Sequence, residues 1–192
     1  DVSPANPVIT VSGADKSAPV YVSEKIWPDD IKDQNECYSV NLADRLADDA
    51  TIAALYSDCG DVTVTHEDVA KDGCEWSIVR TYTIKDACGN TVTPSPTQTI
   101  SGGDKSAPTL SGSLAPLEEE GCSKGNAPKA YTTIAELTAA GLTVSDNCSS
   151  DFTISSEDVE TSSNCSIVVT RTYTIVDACE NEATAEQTIT IK

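Results

Sequence analysis

Arg80-Thr81-Tyr82-Thr83-Ile84-Lys85-Asp86-Ala87-Cys88-Gly89-Asn90 returns as Arg171-Thr172-Tyr173-Thr174-Ile175-Val176-Asp177-Ala178-Cys179-Glu180-Asn181. In the first half of the stretch, large side chains alternate with threonine. Extended backwards, the phase holds Trp76, Ile78, Arg80, Tyr82 and Ile84 in one copy, and Ile167, Val169, Arg171, Tyr173 and Ile175 in the other. Such alternation puts one row of side chains against a core and the other against solvent, which predicts a half-buried strand. The second half is Asp, Ala, Cys, Gly or Glu, and Asn, a turn composition. A strand that runs into a turn, present twice, predicts a duplicated β domain.

The duplication spreads outward from this block. Gly13-Ala14-Asp15-Lys16-Ser17-Ala18-Pro19 matches Gly102-Gly103-Asp104-Lys105-Ser106-Ala107-Pro108, Thr51–Leu55 matches Thr133–Leu137, and Glu67–Val69 matches Glu157–Val159. The period of about 90 residues suits a small independent domain rather than a solenoid unit. We therefore divide the chain into repeat 1 at 13–101 and repeat 2 at 102–192. Residues 1–12 resemble the ends of both repeats, so they read as a remnant strand of a preceding copy, and the natural protein is expected to carry more copies. No signal peptide opens the chain, which fits an internal fragment or mature piece.

Further strands are expected at Val20–Ser23, Tyr38–Leu42, Val62–Thr65 and Thr91–Ile100, with their equivalents in repeat 2. Short helices are expected at Thr51–Tyr56 and Thr133–Ala140, the second opening on a Thr133/Glu136 capping box. Short strands separated by Gly, Pro, Asn and Asp turns predict an all-β fold: two tandem immunoglobulin-like Greek-key β-sandwiches, each with a short helix and two disulfides.

The chain has 192 residues, eight of them cysteine, with one histidine and no methionine. The cysteines are Cys37, Cys59, Cys74 and Cys88 in repeat 1, and Cys122, Cys148, Cys165 and Cys179 in repeat 2. None is spaced as a CxxC metal motif, so an even, dispersed set reads as disulfides formed in an oxidising compartment. Four cysteines allow three pairings per repeat. Strand direction places Cys37 with Cys74 and Cys59 with Cys88, so these pairs are expected, and likewise Cys122 with Cys165 and Cys148 with Cys179. No bridge between repeats is expected.

Charge excludes some partners. Thirty-one acidic residues against 12 basic give −19 at pH 7, a surface that repels nucleic acid and anionic lipid. No apolar run approaches the roughly 20 residues of a membrane-spanning helix, so no direct membrane insertion is expected.

The block Arg80–Asn90, followed by Gln98-Thr99-Ile100 and the Asp-Lys-Ser-Ala-Pro linker, resembles the HYR-like, immunoglobulin-type repeats of large Bacteroidetes cell-surface proteins. It is similar to the repeats of gliding-motility adhesins and of other giant proteins exported by the type IX system. Asp146-Asn147-Cys148 resembles the Asp-Asn-Cys signature of those repeats, and Glu180 departs from their usual glycine. The resemblance implies an extracellular, cell-surface β-sandwich used in long adhesive filaments.

Candidate chemistry is sparse. The only histidine, His66, has no counterpart in repeat 2, so a duplicated active site has no base and the protein is not expected to be an enzyme. Calcium fits better, because it takes six to eight oxygens supplied by loops. Strand direction brings Asp15, Asp58, Asp86 and Asn90 to one end of repeat 1, and Asp104, Asp146, Asp177 and Asn181 to the same end of repeat 2. The competing reading is that these residues cap turns. Arg80 and Arg171 sit in the inward phase of their strands and need partners, for which Glu67-Asp68 and Glu157-Asp158 are suited, with Asp68 and Asp158 as the expected ion-pair partners. The competing reading is that strand twist lets the guanidinium reach water. The expected function is a structural and adhesive stalk segment that contacts neighbouring repeats and is stiffened by Ca2+. The alternative is a carbohydrate-binding module of a secreted enzyme, with Trp27 as the candidate contact to surface glycans.

Overall fold

The computed structural model describes residues 13–163 and 166–192, with backbone only for 162 and 163. The expected remnant strand at 1–12, and Cys165, lie outside the described residues.

The protein is mostly β, and each element of repeat 1 has a counterpart in repeat 2. In repeat 1 the strands are β1 (Val20–Tyr21), β2 (Ile31–Asn35), β3 (Tyr56–Ser57), β4 (Thr63–Lys71), β5 (Glu75–Lys85) and β6 (Thr97–Gly103). In repeat 2 they are β7 (Thr109–Gly112), β8 (Leu117–Glu119), β9 (Leu142–Ser145), β10 (Thr153–Ser163), β11 (Ser166–Val176) and β12 (Glu182–Ile191). Helices α1 (Asp49–Ala53) and α2 (Ile134–Ala139) precede β3 and β9. Each repeat forms one four-stranded sheet, in the order β2-β6-β5-β4 or β10-β11-β12-β8, and one two-stranded sheet, β1-β3 or β7-β9.

Contacts divide the described residues into two compact units. One holds the residues up to Lys32, Val40–Lys71 and Ser77–Ile100; the other holds Asp33–Ser39, Asp72–Trp76 and Ser101–Lys192. Two short segments of repeat 1, around Cys37 and Cys74, thus belong to the second unit.

In the first unit, Ile52 of α1 and Leu55 pack on Val64, Tyr82 and Ile84. In the second, Leu137 of α2 and Leu142 pack on Tyr173, Ile175 and Leu114, and a further cluster joins Val169, Ile189 and Ile191. The alternation of β5 and β11 is as read from sequence: Ile78, Tyr82, Ile84, Val169, Tyr173 and Ile175 are all buried, and so are Arg80 and Arg171. Helix α2 starts on the full capping box, Thr133 accepting from the Glu136 amide while Glu136 accepts from the Thr133 amide.

Two expected strands differ. Residues 38–42 form no strand; Val40–Arg45 forms a 3-10 turn, and Val40 is exposed while Leu42 is buried. The apolar residues there do not line one face, so the strand pattern of Tyr38, Val40 and Leu42 was accidental. The strand expected from Thr91 begins only at Thr97. Pro94 and Pro96 occupy the missing stretch and cannot donate to a ladder. The equivalent β12 lacks proline and runs unbroken from Glu182.

Candidate cation site and its disulfides

The repeated Asp-Ala-Cys-x-Asn block is a self-capping loop. Asp86 Oδ1 accepts from the Cys88 and Asn90 amides at 2.8 Å each, and its Oδ2 accepts from Asn90 Nδ2 at 2.6 Å. Asp177 repeats this with Cys179 and Asn181 at 2.7, 2.9 and 2.9 Å. The fourth residue takes a left-handed backbone, Gly89 at φ 89° and Glu180 at φ 68°. Burial works against ionisation of Asp86 and Asp177, yet the Asn side-chain amides and the loop N–H groups outweigh it and hold both below the ordinary carboxylate value. Asn90 and Asn181 also donate to the Asp15 and Asp104 carbonyls, at 3.2 and 3.3 Å, tying each linker to its loop.

The linker aspartates meet other carboxylates. Carboxylate oxygens of Asp104 and Asp146 lie within 4.8 Å of each other, as do those of Asp104 and Asp177, and those of Asp15 and Asp58. One oxygen of each linker or Asp-Cys carboxylate is spent on backbone. Asp104 Oδ1 accepts from Ser106, Asp146 Oδ1 from Cys148 and Ser149, and Asp58 Oδ1 from Cys59. The other oxygen, Oδ2 of Asp58, Asp104 and Asp146, is buried with no hydrogen-bond partner. Buried unpaired charge is costly, and a hard cation would satisfy these oxygens. The donor set fits calcium, which takes oxygen ligands. Of the eight residues named from sequence, Asp15, Asp58, Asp104, Asp146 and Asp177 are thus gathered around carboxylate clusters. Asn90 and Asn181 serve as loop donors. Asp86 caps its loop and belongs to no such cluster among the described residues.

The disulfides correct the expected pairing. Cys37 is bonded to Cys148 and Cys74 to Cys179, with Cα–Cα distances of 5.2 and 5.3 Å. Cys37 is therefore not paired with Cys74, nor Cys148 with Cys179, and both bridges join one sequence repeat to the next. Cys59, Cys88 and Cys122 are exposed free thiols, so the Cys59–Cys88 pair is not formed. The expected partner of Cys122, Cys165, lies outside the described residues. Strand direction sorts the cysteines of repeat 1 by end, Cys37 with Cys74 and Cys59 with Cys88. Cys74 lies in the β4–β5 turn and Cys88 beyond the far end of β5, which has 11 residues and so spans roughly 35 Å. The error was to close each end within its own repeat. The segments carrying Cys37 and Cys74 pack with repeat 2, which presents Cys148 and Cys179 to them.

Asp104 sits beside both bridges, in a pocket it shares with Cys37, Tyr38, Asp72, Gly73, Cys74, Cys148 and Cys179. The glycines before it are required by packing. A Cβ on Gly102 would stand 2.3 Å from the Gln34 carbonyl, and one on Gly103 2.4 Å from the Cys74 carbonyl, while the Asp104 amide donates to Cys74 O at 3.1 Å. The thiol of Cys59 donates to Asp15 and Asp58, and these two carboxylates push it up to about 11.

The arginines are paired across their hairpins. Arg80 meets Asp68 through Nε at 2.8 Å and Nη2 at 2.7 Å, and Arg171 meets Asp158 at 2.7 and 2.8 Å. Each third nitrogen donates to a carbonyl, Ala47 for Arg80 and Pro128 for Arg171. Trp27 packs on the core edge-to-face with Tyr82 at 5.7 Å, and His66 hydrogen-bonds Asp49 at 2.6 Å.

Residues 126–191 match the family model of an HYR-like domain with 4 cysteines. Three cysteines of repeat 2 fall inside the HYR-like segment and Cys122 lies just ahead of it. No curated protein matches the chain. The HYR-like match and the two disulfides agree with an extracellular, non-catalytic repeat domain. No helix among the described residues is long and apolar enough to cross a membrane.

Proposed function

We propose that this chain is a stalk segment of a long secreted or cell-surface adhesive protein, built from tandem immunoglobulin-like Greek-key repeats that are locked by disulfides and stiffened by Ca2+. The observation that carries this reading is the pair of bridges Cys37–Cys148 and Cys74–Cys179, which cross from one sequence repeat to the next. A stalk needs adjoining repeats that do not slip under load, and covalent bonds across repeats supply that.

The HYR-like segment supports an extracellular repeat role, and the likeness of the Arg80–Asn90 block to gliding-motility adhesin repeats extends it to a bacterial cell surface. Asp104, Asp146 and Asp177 would hold calcium beside the bridges, with Asp15 and Asp58 doing the same in repeat 1. The bound ion would supply the positive charge that the orphaned Oδ2 atoms lack. Partners on this reading are neighbouring repeats and molecules of an opposing surface. The half-buried Trp27 offers little free ring for the glycan-binding alternative.

Pulling the chain by its ends tests the proposal. The Cys37–Cys148 bridge encloses a sequence separation of 111. Reduction should lengthen the fully stretched chain by on the order of 370–400 Å, at about 3.3–3.6 Å per residue. Equal lengths with and without reductant would remove the load-carrying role, and specific retention on a glycan array, lost in Trp27→Ala, would put the binding module ahead.

A further inference from the structure

Cys59 and Cys88 occupy the same places in repeat 1 as Cys148 and Cys179 do in repeat 2. The likeness extends to geometry. The Cys88 amide donates to Asp86 at 2.8 Å and the Cys179 amide to Asp177 at 2.7 Å. Asn90 and Asn181 make the same link to the carbonyl of their linker aspartate. The residues next to each cysteine also meet: a Cβ on Gly60 would touch the Ala87 Cβ at 3.4 Å, while the Ala178 amide donates to Ser149 at 3.3 Å. One difference remains. Cys148 and Cys179 are bonded to Cys37 and Cys74 of the repeat before them, whereas Cys59 and Cys88 are exposed thiols.

We propose that Cys59 and Cys88 are a receiving site for another copy of this repeat, which bonds to them through its cysteines of the Cys37 and Cys74 type. The geometry names the occupant. What closes on Cys148 and Cys179 is a β-hairpin turn, Asp72-Gly73-Cys74, and a second segment that ends at Cys37. The same chain also carries an unpaired cysteine of the giving type: Cys122, the counterpart of Cys37, is exposed and free. Repeat 1 thus offers receiving cysteines and repeat 2 a giving one. A contact between unlike surfaces of one unit is heterologous, so successive copies along one chain join head to tail. The inference rests on the multi-repeat reading above and adds its connection rule: two bridges per junction, none within a repeat.

Each bridge needs an oxidant, and a small disulfide such as glutathione disulfide suffices. One thiolate attacks it and releases a glutathione thiolate. The second cysteine, as thiolate, attacks the mixed disulfide and releases the other. Two protein thiols become one disulfide, one glutathione disulfide becomes two glutathiones, and the two protons pass to the released thiolates.

The test is a three-copy chain, with residues 102–192 placed ahead of residues 13–192 and folded in glutathione disulfide. Non-reducing peptide mapping of the monomeric fraction should show Cys59 bonded to the added copy's Cys122, and Cys88 bonded to the same copy. Both should resist iodoacetamide, while in the 192-residue chain both are alkylated. Cys122→Ser in the added copy should free Cys59 and leave Cys88 protected. A Cys59–Cys88 bridge, or two thiols still open to alkylation, overturns the proposal. Absence of the Cys37–Cys148 and Cys74–Cys179 peptides from the same map also overturns it, since the template would be gone. Failure here with those peptides intact would leave the pulling result, and with it the stalk reading, untouched.

Discussion

Asp104 and Asp146 bring carboxylate oxygens within 4.8 Å of each other, and each keeps a buried Oδ2 that no donor reaches. Both already use Oδ1 on backbone amides, so neither side chain can turn away without losing a loop contact. The repulsion is therefore built in, and a bound cation would relieve it.

Millimolar calcium should raise the melting temperature of chelator-treated protein. A ligand at 100 times its Kd stabilises the fold by about 2.7 kcal/mol, or roughly 10–20 °C for a domain of about 100 residues. Asp146→Asn should remove the part of the shift that belongs to repeat 2, sparing that of the Asp15/Asp58 cluster, while leaving the metal-free protein as stable as wild type or more so, because it removes one of two facing charges. A chelated Asp146→Asn protein that melts well below chelated wild type, with the calcium shift retained, would mark Asp146 as a loop cap alone.

Removing the longer bridge should be expensive. Closing a loop of about a hundred residues is worth on the order of 4–5 kcal/mol through the unfolded chain, so Cys37→Ala with Cys148→Ala should lower stability by about that amount in denaturant titration. Cys59→Ala with Cys88→Ala should change it little in the 192-residue chain. The reverse ranking would restore the within-repeat pairing.

Asp68 and Asp158 make acid sensitivity predictable. Side-chain hydrogen bonds from Arg80 and Arg171 hold both carboxylates below their ordinary value. A depressed carboxylate contributes stability that is complete above its unfolded-state pKa, about 3.9, and is lost as pH falls through the lower folded value. Stability should therefore drop below about pH 4. Asp158→Asn leaves Arg171 buried with no counter-charge, at a cost of about 3–5 kcal/mol near pH 7. Its stability should then fall less steeply than wild type in the acid range. An unchanged acid limb would show that the pair carries no pH-linked stability.

Glu180 holds a left-handed backbone that its Gly89 counterpart adopts freely. Glu180→Gly should stabilise repeat 2 by up to about 1 kcal/mol, the left-handed penalty less the extra entropy glycine loses on folding. Gly89→Ala should destabilise repeat 1. Calorimetric transitions that shift the other way would place the strain elsewhere.

Much of this is legible in the sequence alone. The period-2 phase of β5 and β11, the Thr133/Glu136 cap, the turn at Asp86–Asn90 and the Arg–Asp partners all follow from patterns a few residues long, where covalent geometry leaves few choices. The same locality explains the misreadings. Tyr38, Val40 and Leu42 alternate by accident, and Pro94 and Pro96 interrupt a strand that unbroken β12 suggested. Gln98 and Gln187, both buried, are core donors to Asp29 O and Ala115 O that no local pattern announces. Their sign is instead that the same amide recurs at one position of an otherwise apolar and threonine-rich strand.

By itself the sequence determined that this is a repeated, disulfide-bonded β protein, which cysteines of repeat 1 share an end, and that Asp15, Asp58, Asp104, Asp146 and Asp177 crowd beside the linkers. These follow from composition, period and strand direction. Tertiary structure alone decided which sulfurs meet. Cys37 and Cys74 are neighbours at one end of their repeat, but a disulfide forms only where two Cα atoms come within about 4.4–6.8 Å with their Cβ atoms facing. That approach is set by the packing of the Cys37 and Cys74 segments on repeat 2, with Gly102 and Gly103 too small to block it. No local pattern encodes such a contact, because its two halves lie more than a hundred residues apart.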